Sequence, residues 1–247
     1  METQILDFWY ACDNCDIETI KKLYDEVKHR IDIEEVMCLI ARQGNIDVLK
    51  CFHECGANIK NGKILLSAVM YNNVDITDYL LLNDTDINYS ASHVFDGFTA
   101  LHFASEGKVD IVRKLLETQK CNVNKPDNDG CTPLFYAVFT GVLEIIDLLI
   151  SYGANYYHID LKQNNLLHMA TRSKHRKLVL NRVLSLGIDI NHQNKNGHTP
   201  LYYPCIYESI ETIELLLKEG ADPNIKDNFG KTPYEYLSPW VITYLFG

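Results

Sequence analysis

The chain has 247 residues, of which 47% are hydrophobic and 23% are charged, and its formal net charge is −10. This apolar content excludes general disorder, and no apolar run approaches the ~18–20 residues that a membrane-spanning helix needs. Binding to duplex DNA or to anionic membranes depends on neutralising phosphates, so the acidic balance argues against both partners. The acidic N terminus leads into no signal-like apolar stretch, so we expect no secretion.

The N-terminal third of the chain carries helical patterns that come in pairs. Residues 33–42 are followed by residues 45–52, and residues 63–70 are followed by residues 75–82. Their apolar side chains recur at i, i+3 and i+4, which is the spacing of one buried helix face. Residues 5–32 show a more divergent version, as expected of a terminal unit that faces water.

From Gly97 onward, a Gly-x-Thr motif recurs and is usually followed by Pro-Leu. Each copy predicts a helix start, because the Thr hydroxyl can accept from a free backbone N–H and Pro is favoured at the first helical position. Consecutive copies lie 33 residues apart, except for one interval of 67 that predicts a degenerate copy near residue 165. The four clear copies begin at Gly97, Gly130, Gly197 and Gly230, and residues 164–170 keep only the Leu, His and Ala of the motif.

A second glycine marks the end of each predicted helix pair. It follows an apolar stretch and precedes an Asn or Asp, as at Gly56, Gly153, Gly187 and Gly220. Glycine terminates helices because it adopts positive φ without a steric penalty. The two glycine markers run in phase, so the chain repeats one helix pair with a period of about 33 residues.

These motifs resemble the ankyrin repeat family, whose signature is a β-turn, a helix opening with Thr-Pro-Leu-His, a second helix and Gly-Ala-Asp-x-Asn. Residues 96–237 match that signature closely in phase. The resemblance implies an all-α ankyrin-repeat solenoid of about seven repeats plus a C-terminal cap, and we expect one domain over residues 1–247. The predicted repeats span residues 5–32, 33–60, 61–89, 96–125, 129–158, 162–192 and 196–225, and the cap spans residues 229–247.

Three features depart from the repeat pattern. Pro204 stands where other copies have Ala, which predicts either a local distortion of the helix or a functional kink. Residues 89–95 lengthen one connection and predict an extended finger. The basic run at residues 172–177 is interpreted either as a solvated turn or as a contact point for an acidic partner surface.

The eight cysteines raise the question of a metal site. Cys12 and Cys15 have the C-x-x-C spacing, but the chain contains no second pair of that kind to complete four zinc ligands. Cys51 and Cys55 are four residues apart on a predicted helix, which is ordinary packing. We therefore expect no metal and no cofactor, and the scattered cysteines predict a reducing, cytoplasmic setting.

The sequence contains no phosphate-binding loop, nucleophile elbow, zinc-protease motif or dinucleotide fingerprint, so we expect no enzyme activity. The alternative is a catalytic triad assembled from distant residues. His102 and His168 occupy the family's Thr-Pro-Leu-His position, where the resemblance implies a structural histidine that bonds to the neighbouring repeat rather than a catalytic base.

In the family, partners bind the concave side, which is built from the turn tips and the first helix of each repeat. We expect a hot spot of binding energy around Phe98, Phe139, Leu161 and Tyr207, because exposed aromatic side chains anchor interfaces. The alternative for each ring is packing into the core between repeats. Carried over position by position, the expected partner-binding residues are Phe95, Asp96, Phe98, Glu106, Asp129, Phe139, Leu161, Lys162, Arg172 and Tyr207.

Three classes of function remain open. The first is a monomeric, non-enzymatic module that binds another protein and neither nucleic acid nor membrane. The second is a host-directed viral or bacterial effector that acts as a ubiquitin-ligase adaptor or signalling inhibitor; residues 237–242 match a fragment of an F-box-like segment. The third is a substrate or scaffold, since Asn124, Asn191 and Asn224 match a position that is hydroxylated in the family.

Overall fold

The computed structural model describes residues 2–90 and 96–246, and all regular structure in those ranges is helical. Seven helix pairs follow one another and coincide closely with the predicted repeats, and a short cap follows them. The pairs are α1 (Glu2–Asp13) with α2 (Ile17–Val27), α3 (Ile33–Gln43) with α4 (Ile46–Glu54), α5 (Gly62–Met70) with α6 (Val74–Leu82), α7 (Ala100–Ser105) with α8 (Val109–Glu117), α9 (Pro133–Thr140) with α10 (Leu143–Ser151), α11 (Leu166–Ala170) with α12 (Arg176–Leu184), and α13 (Tyr202–Ile206) with α14 (Ile210–Lys218). The cap consists of a 3₁₀ helix (Pro233–Tyr236) and α15 (Pro239–Phe246).

The predicted role of the motif threonines as side-chain helix caps is wrong at Thr132 and Thr199. Neither hydroxyl forms a capping hydrogen bond, and both hydroxyl oxygens are buried. The backbone explains the difference. The amide of the third residue after the threonine donates to the threonine's own carbonyl oxygen, at 2.9 Å from Phe135 to Thr132 and at 3.0 Å from Tyr202 to Thr199. The amide that a capping hydroxyl would accept from is thus bonded to the backbone.

Pro204 is accommodated within a short helix. α13 begins only at Tyr202, so Pro204 lies in its first turn, where backbone amides have no intrahelical acceptor and a missing N–H costs little. The carbonyl oxygen of Pro204 still accepts from the Ser209 amide at 2.9 Å. Pro204 therefore shortens the helix at its start and leaves the turn that follows it intact.

The contacts divide the chain into two compact units. The first unit comprises residues 1–104 and 108–122, and the second comprises residues 105–107 and 123–247. Both are built from helix pairs of the same kind. That all the repeats form one domain stays a prediction.

In the first unit, successive repeats pack helix on helix. α3 packs against α5, and α2, α4, α6 and α8 pack in succession. An aromatic cluster joins the first two repeats, because the Phe52 ring lies 5.7 Å from the rings of both Phe8 and Tyr24, measured between centroids. Phe8 and Phe52 are completely buried. The core of this unit therefore lies in the seams between repeats.

In the second unit, α11 packs against α9, and α10 packs against α12. α13 packs against α14 and against the 3₁₀ helix of the cap. The side chains in these seams are aliphatic and fully buried, as at Leu134, Ile146, Leu167 and Leu180. The helix faces that the sequence predicts to be apolar are thus the faces that contact the neighbouring repeat.

His168 connects two repeats of the second unit. Its Nε2 donates to the carbonyl oxygen of His198 in the next repeat at 2.9 Å, and its Nδ1 accepts from the Asn165 amide at 3.3 Å. The side chain is almost fully buried, and this burial lowers the pKa of His168 to about 4. The structure thus gives His168 the inter-repeat bond that the family resemblance implies.

Asparagine side chains connect the ends of consecutive repeats. Asn124 donates to the Gly153 carbonyl oxygen at 3.0 Å and accepts from the Asn155 amide at 2.7 Å. Asn191 bridges in the same way to Gly220 and Asp222. Each asparagine therefore satisfies backbone groups of the repeat that follows it.

We predict that Asn124→Ala lowers the free energy of unfolding by about 1–2 kcal/mol, because two inter-repeat hydrogen bonds are lost. Urea denaturation checks this. Asn224→Ala is the matched control, since among the described residues Asn224 bonds only to Asp222 of its own repeat. Equal losses for the two variants would show that the bridge contributes nothing.

We predict that acidification destabilises the protein through His168. The pKa is about 4 in the folded chain and about 6.5 in the unfolded chain, so unfolding takes up a proton in this window. The contribution of neutral His168 to the free energy of unfolding is present above pH ~6.5. Because this contribution is lost on acidification, the free energy of unfolding falls by about 2 kcal/mol between pH 7 and pH 5. Urea denaturation of His168→Gln should show a correspondingly smaller pH dependence; parallel curves for the two proteins would contradict this assignment.

Candidate functional site

The turn before each first helix in the second unit is held by one buried side chain. Asp127 Oδ1 accepts from the amides of Asp129 at 2.9 Å and of Cys131 at 2.8 Å. Asp227 accepts from the amides of Phe229 and Lys231 in the same geometry. The Asp127 and Asp227 carboxylates also accept from Tyr136 and Tyr236, at 2.6 and 2.7 Å. The turns are therefore rigid supports for the side chains at their tips.

Backbone hydrogen bonds join each turn to the next. The Leu161 amide donates to the Asp129 carbonyl oxygen, and the Lys195 amide to that of Lys162, both at 2.9 Å. Gly130 allows this approach: its φ is +81°, and a Cβ there would lie 2.7 Å from the Leu161 nitrogen. The turn tips of neighbouring repeats are thus held at a constant separation.

A cavity of about 230 Å³ lies between the repeats that contain α9 and α11. Phe135, Phe139 and Met169 form its apolar surface. Asp129 and Lys162 stand at its edge, with 3.9 Å between the carboxylate and the ammonium group, and both side chains are largely exposed. The remaining lining residues are Cys131, Tyr136, Asp160, Asn164 and Arg172.

A second cavity of about 340 Å³ shares Phe139 and Arg172 with the first. Thr171, Arg176 and Tyr207 complete its lining, and Tyr207 is 66% exposed. The Arg172 guanidinium lies 5.1 Å from the centre of the Tyr203 ring, which orients it by a cation–π interaction. We call the lining of these two cavities the recognition groove.

The ionisable side chains of the recognition groove divide into neutral and charged groups. Burial raises the pKa of the Cys131 thiol to about 12, so the group stays protonated at neutral pH. Burial and the hydrogen bond to Asp127 raise the pKa of Tyr136. These groups line the groove in neutral form, and the fixed charges come from Asp129, Asp160, Lys162, Arg172 and Arg176.

The structure brings five of the predicted partner-binding residues together in the recognition groove. They are Asp129, Phe139, Lys162, Arg172 and Tyr207. Leu161 is 59% exposed on the turn beside the groove but does not line it. Glu106 is also exposed, in the turn after α7.

The other predicted residues lie in the first unit. Asp96 is exposed, with φ of 49°, and Phe95 and most of the predicted finger at residues 89–95 lie outside the described residues. Phe98 is half-buried: its ring stacks on His102 at 5.3 Å and lies 5.1 Å from Phe103, measured between centroids. Both of these ring contacts lie within the repeat that contains Phe98, and its role in a hot spot stays a prediction.

The sequence analysis did not assign Tyr136, Met169 or Tyr203 to the site. Each lies on a first helix, three or four residues before a helix-end position that was carried over from the family. Tyr136 and Met169 line the groove, and Tyr203 supports Arg172. The signal in the sequence that could have predicted them is a large aromatic or sulfur-containing side chain at these positions of the first helices.

Within the described residues, no group of three or more His, Cys, Asp or Glu side chains is arranged to hold a metal ion. In residues 2–90 and 96–246, no helix has the length and apolar character to cross a membrane.

Stacked helix pairs whose turns and first helices frame a groove define a helical-repeat protein. The family model for ankyrin repeats (three copies) matches residues 65–160 and 157–227, more than half of the chain. The chain therefore belongs to the ankyrin repeat family, whose repeats are general protein–protein interaction modules.

Curated proteins with similar sequences are much longer than this chain. Phosphocholine transferase AnkX of Legionella pneumophila is 26% identical over 243 residues, covering 88% of the chain and 25% of that protein. Mouse inversin is 35% identical over 133 residues, covering 53% of the chain and 12% of inversin. The human transient receptor potential cation channel subfamily A member 1 is 28% identical over 139 residues, covering 56% of the chain and 12% of the channel. The chain thus spans a quarter or less of each relative.

We predict that Asp127→Ala lowers the free energy of unfolding by about 2–4 kcal/mol, because two backbone amides and the Tyr136 hydroxyl lose a charged acceptor. Asp129→Ala is the control: its exposed ion pair with Lys162 contributes less than about 0.5 kcal/mol. Urea denaturation of both variants distinguishes them. Losses of similar size would contradict the role assigned to Asp127 in holding the turn.

Proposed function

We propose that this chain binds a partner protein through the recognition groove of its second unit. The observation that carries the proposal is the pair of adjoining cavities that share Phe139 and Arg172. A partly exposed aromatic ring between two concavities, surrounded by polar and charged groups, is the arrangement of an interface hot spot. An ankyrin repeat framework supports such a surface on rigid elements.

The energetic centre of the proposed interface is Phe139. Its side chain is half-buried at the end of α9 and lines both cavities, so a partner side chain that enters either cavity contacts the ring. Tyr207 offers a second aromatic surface on the repeat two positions further along. When a partner covers both aromatic rings, their apolar surface is removed from water, and this burial contributes binding free energy.

The groove also offers specificity. Asp129 and Lys162 at one edge provide an acceptor and a donor, and Arg172 provides a planar set of donors between the cavities. Charges at the rim of an interface select among partners and set the association rate more than they add affinity.

A role as a host-directed effector is the second candidate, and it uses the same surface. The observation that favours it is the alignment with the Legionella protein over 88% of the chain. The activity in that protein's name is not transferred here, because the chain covers only 25% of it. The identity of the captured partner separates an effector from a cellular adaptor or inhibitor.

We predict that Phe139→Ala lowers affinity for the partner about tenfold or more, as truncation of a hot-spot aromatic does. Affinity purification from cells in which the protein occurs, with quantitative mass spectrometry, measures this directly. Tyr207→Ala should reduce capture of the same proteins, and because Tyr207 is largely exposed its removal leaves folding intact.

Tyr152→Ala is the matched control, since Tyr152 is an exposed aromatic residue at the end of α10, outside the groove. Thermal unfolding verifies that each variant is folded. Capture of the same proteins in the same amounts by all folded variants would overturn the proposed binding surface.

A further inference from the structure

The second cavity of the recognition groove carries two positive charges in a strongly acidic protein. Arg172 and Arg176 both line it, and its other lining residues are Phe139, Thr171 and Tyr207. The lining therefore contains two guanidinium groups and no carboxylate, while the chain as a whole has a formal net charge of −10.

Neither guanidinium is neutralised within the part of the chain that the structure describes. Among those residues, no carboxylate forms an ion pair with Arg172 or Arg176 within 4.0 Å, whereas Arg182 on the same helix as Arg176 pairs with Asp147 at 2.6 Å. Arg172 instead lies over the Tyr203 ring. Two arginines are thus held beside a cavity with their hydrogen-bond donors available.

The neighbouring outer groove between α12 and α14 provides a contrast within the same basic run. It has a volume of about 770 Å³, and Lys177 in its lining forms an ion pair with Glu211 at 2.9 Å. Glu214 also lines that groove. The outer groove thus has acidic side chains among its cations, whereas the lining of the second cavity, which shares Arg176 with it, has none.

We propose that this cavity binds an acidic segment of the partner protein, with Asp or Glu carboxylates on Arg172 and Arg176 and an adjacent apolar side chain against Phe139 and Tyr207. The planar guanidinium group matches a carboxylate with two parallel hydrogen bonds, which makes arginine specific for this geometry. The aromatic rings supply the apolar contact and shield the ion pairs from water. The inference rests on the proposed function, because it names the class of partner that the recognition groove binds.

The experiment is a selection from a library of peptides displayed on phage against the full chain, with sequencing of the bound pool. The expected result is enrichment of peptides that combine Asp or Glu with an apolar or aromatic residue. Arg172→Gln and Arg176→Gln should each weaken binding of a selected peptide about tenfold or more, as loss of a charge-assisted bidentate pair does. Replacing the peptide's Asp and Glu with Asn and Gln should weaken it equally.

Lys177→Gln is the matched control, because it removes one positive charge from the same run but from a residue that Glu211 already neutralises. Binding should be nearly unchanged in this variant. An equal loss in Lys177→Gln would mean that net charge alone attracts the peptide, and it would overturn the assigned site. Thermal unfolding confirms that each variant is folded.

The outcomes separate this inference from the proposed function. If selected peptides lack acidic residues but still lose affinity with Phe139→Ala, the inference fails and the recognition groove stands. If peptides bind and neither Phe139→Ala nor the arginine variants weaken them, both proposals fail. A chain that selects no peptide from the library also contradicts both.

Discussion

Among the described residues, no helix pair is large enough to bury its own apolar side chains, so the pairs within each unit depend on packing against their neighbours. The second helices are about nine residues long, and their buried residues face the neighbouring repeats, as Ile146 and Leu180 do. Asn124 and His168 add hydrogen bonds across the same seams. Stability in such a protein is the sum of each repeat and its interfaces, and no central core exists to replace a lost seam.

The same stacking produces the recognition groove. The backbone bond from Leu161 to Asp129 holds consecutive turns at one separation, and Asp127 keeps its turn in a fixed conformation. Side chains at the turn tips and at the ends of first helices are not needed in the seams. Phe139 and Tyr207 occupy these positions, and both line the second cavity of the groove.

The local charge of the groove differs in sign from the net charge of the chain. Acidic side chains in the first turn of the other second helices complement the positive helix end, for example Glu144 in α10 and Glu211 in α14. α12 has no acidic residue there and begins with Arg176 and Lys177. Arg176 therefore adds positive charge to the lining of the second cavity, in a chain of formal charge −10.

Much of the fold was predictable from the sequence because it rests on local rules. Periodic apolar residues located helices such as α5 and α6 to within a residue or two at each end, and glycines at positions such as Gly153 and Gly220 do end helical stretches with positive φ. The threonine caps were predicted wrongly at Thr132 and Thr199, since hydrogen bonding within a turn depends on backbone geometry that the residue type does not specify. For the candidate site, sequence position predicted Phe139, Arg172 and Tyr207, which line the groove, but it could not predict ring contacts such as those of Phe98 with His102 and Phe103.

The sequence by itself determined the repeat, its period and the residue types at each turn and helix, because these follow from interactions between residues close in the chain. The tertiary structure decided which side chains face a cavity and which charges remain without a partner. Arg172 and Lys177 belong to one basic run and look equivalent in sequence, yet Lys177 reaches Glu211 while Arg172 lies over Tyr203 beside an open cavity. The partners of a charged group come from neighbouring repeats about 33 residues away, and only the packing of those repeats brings them within reach.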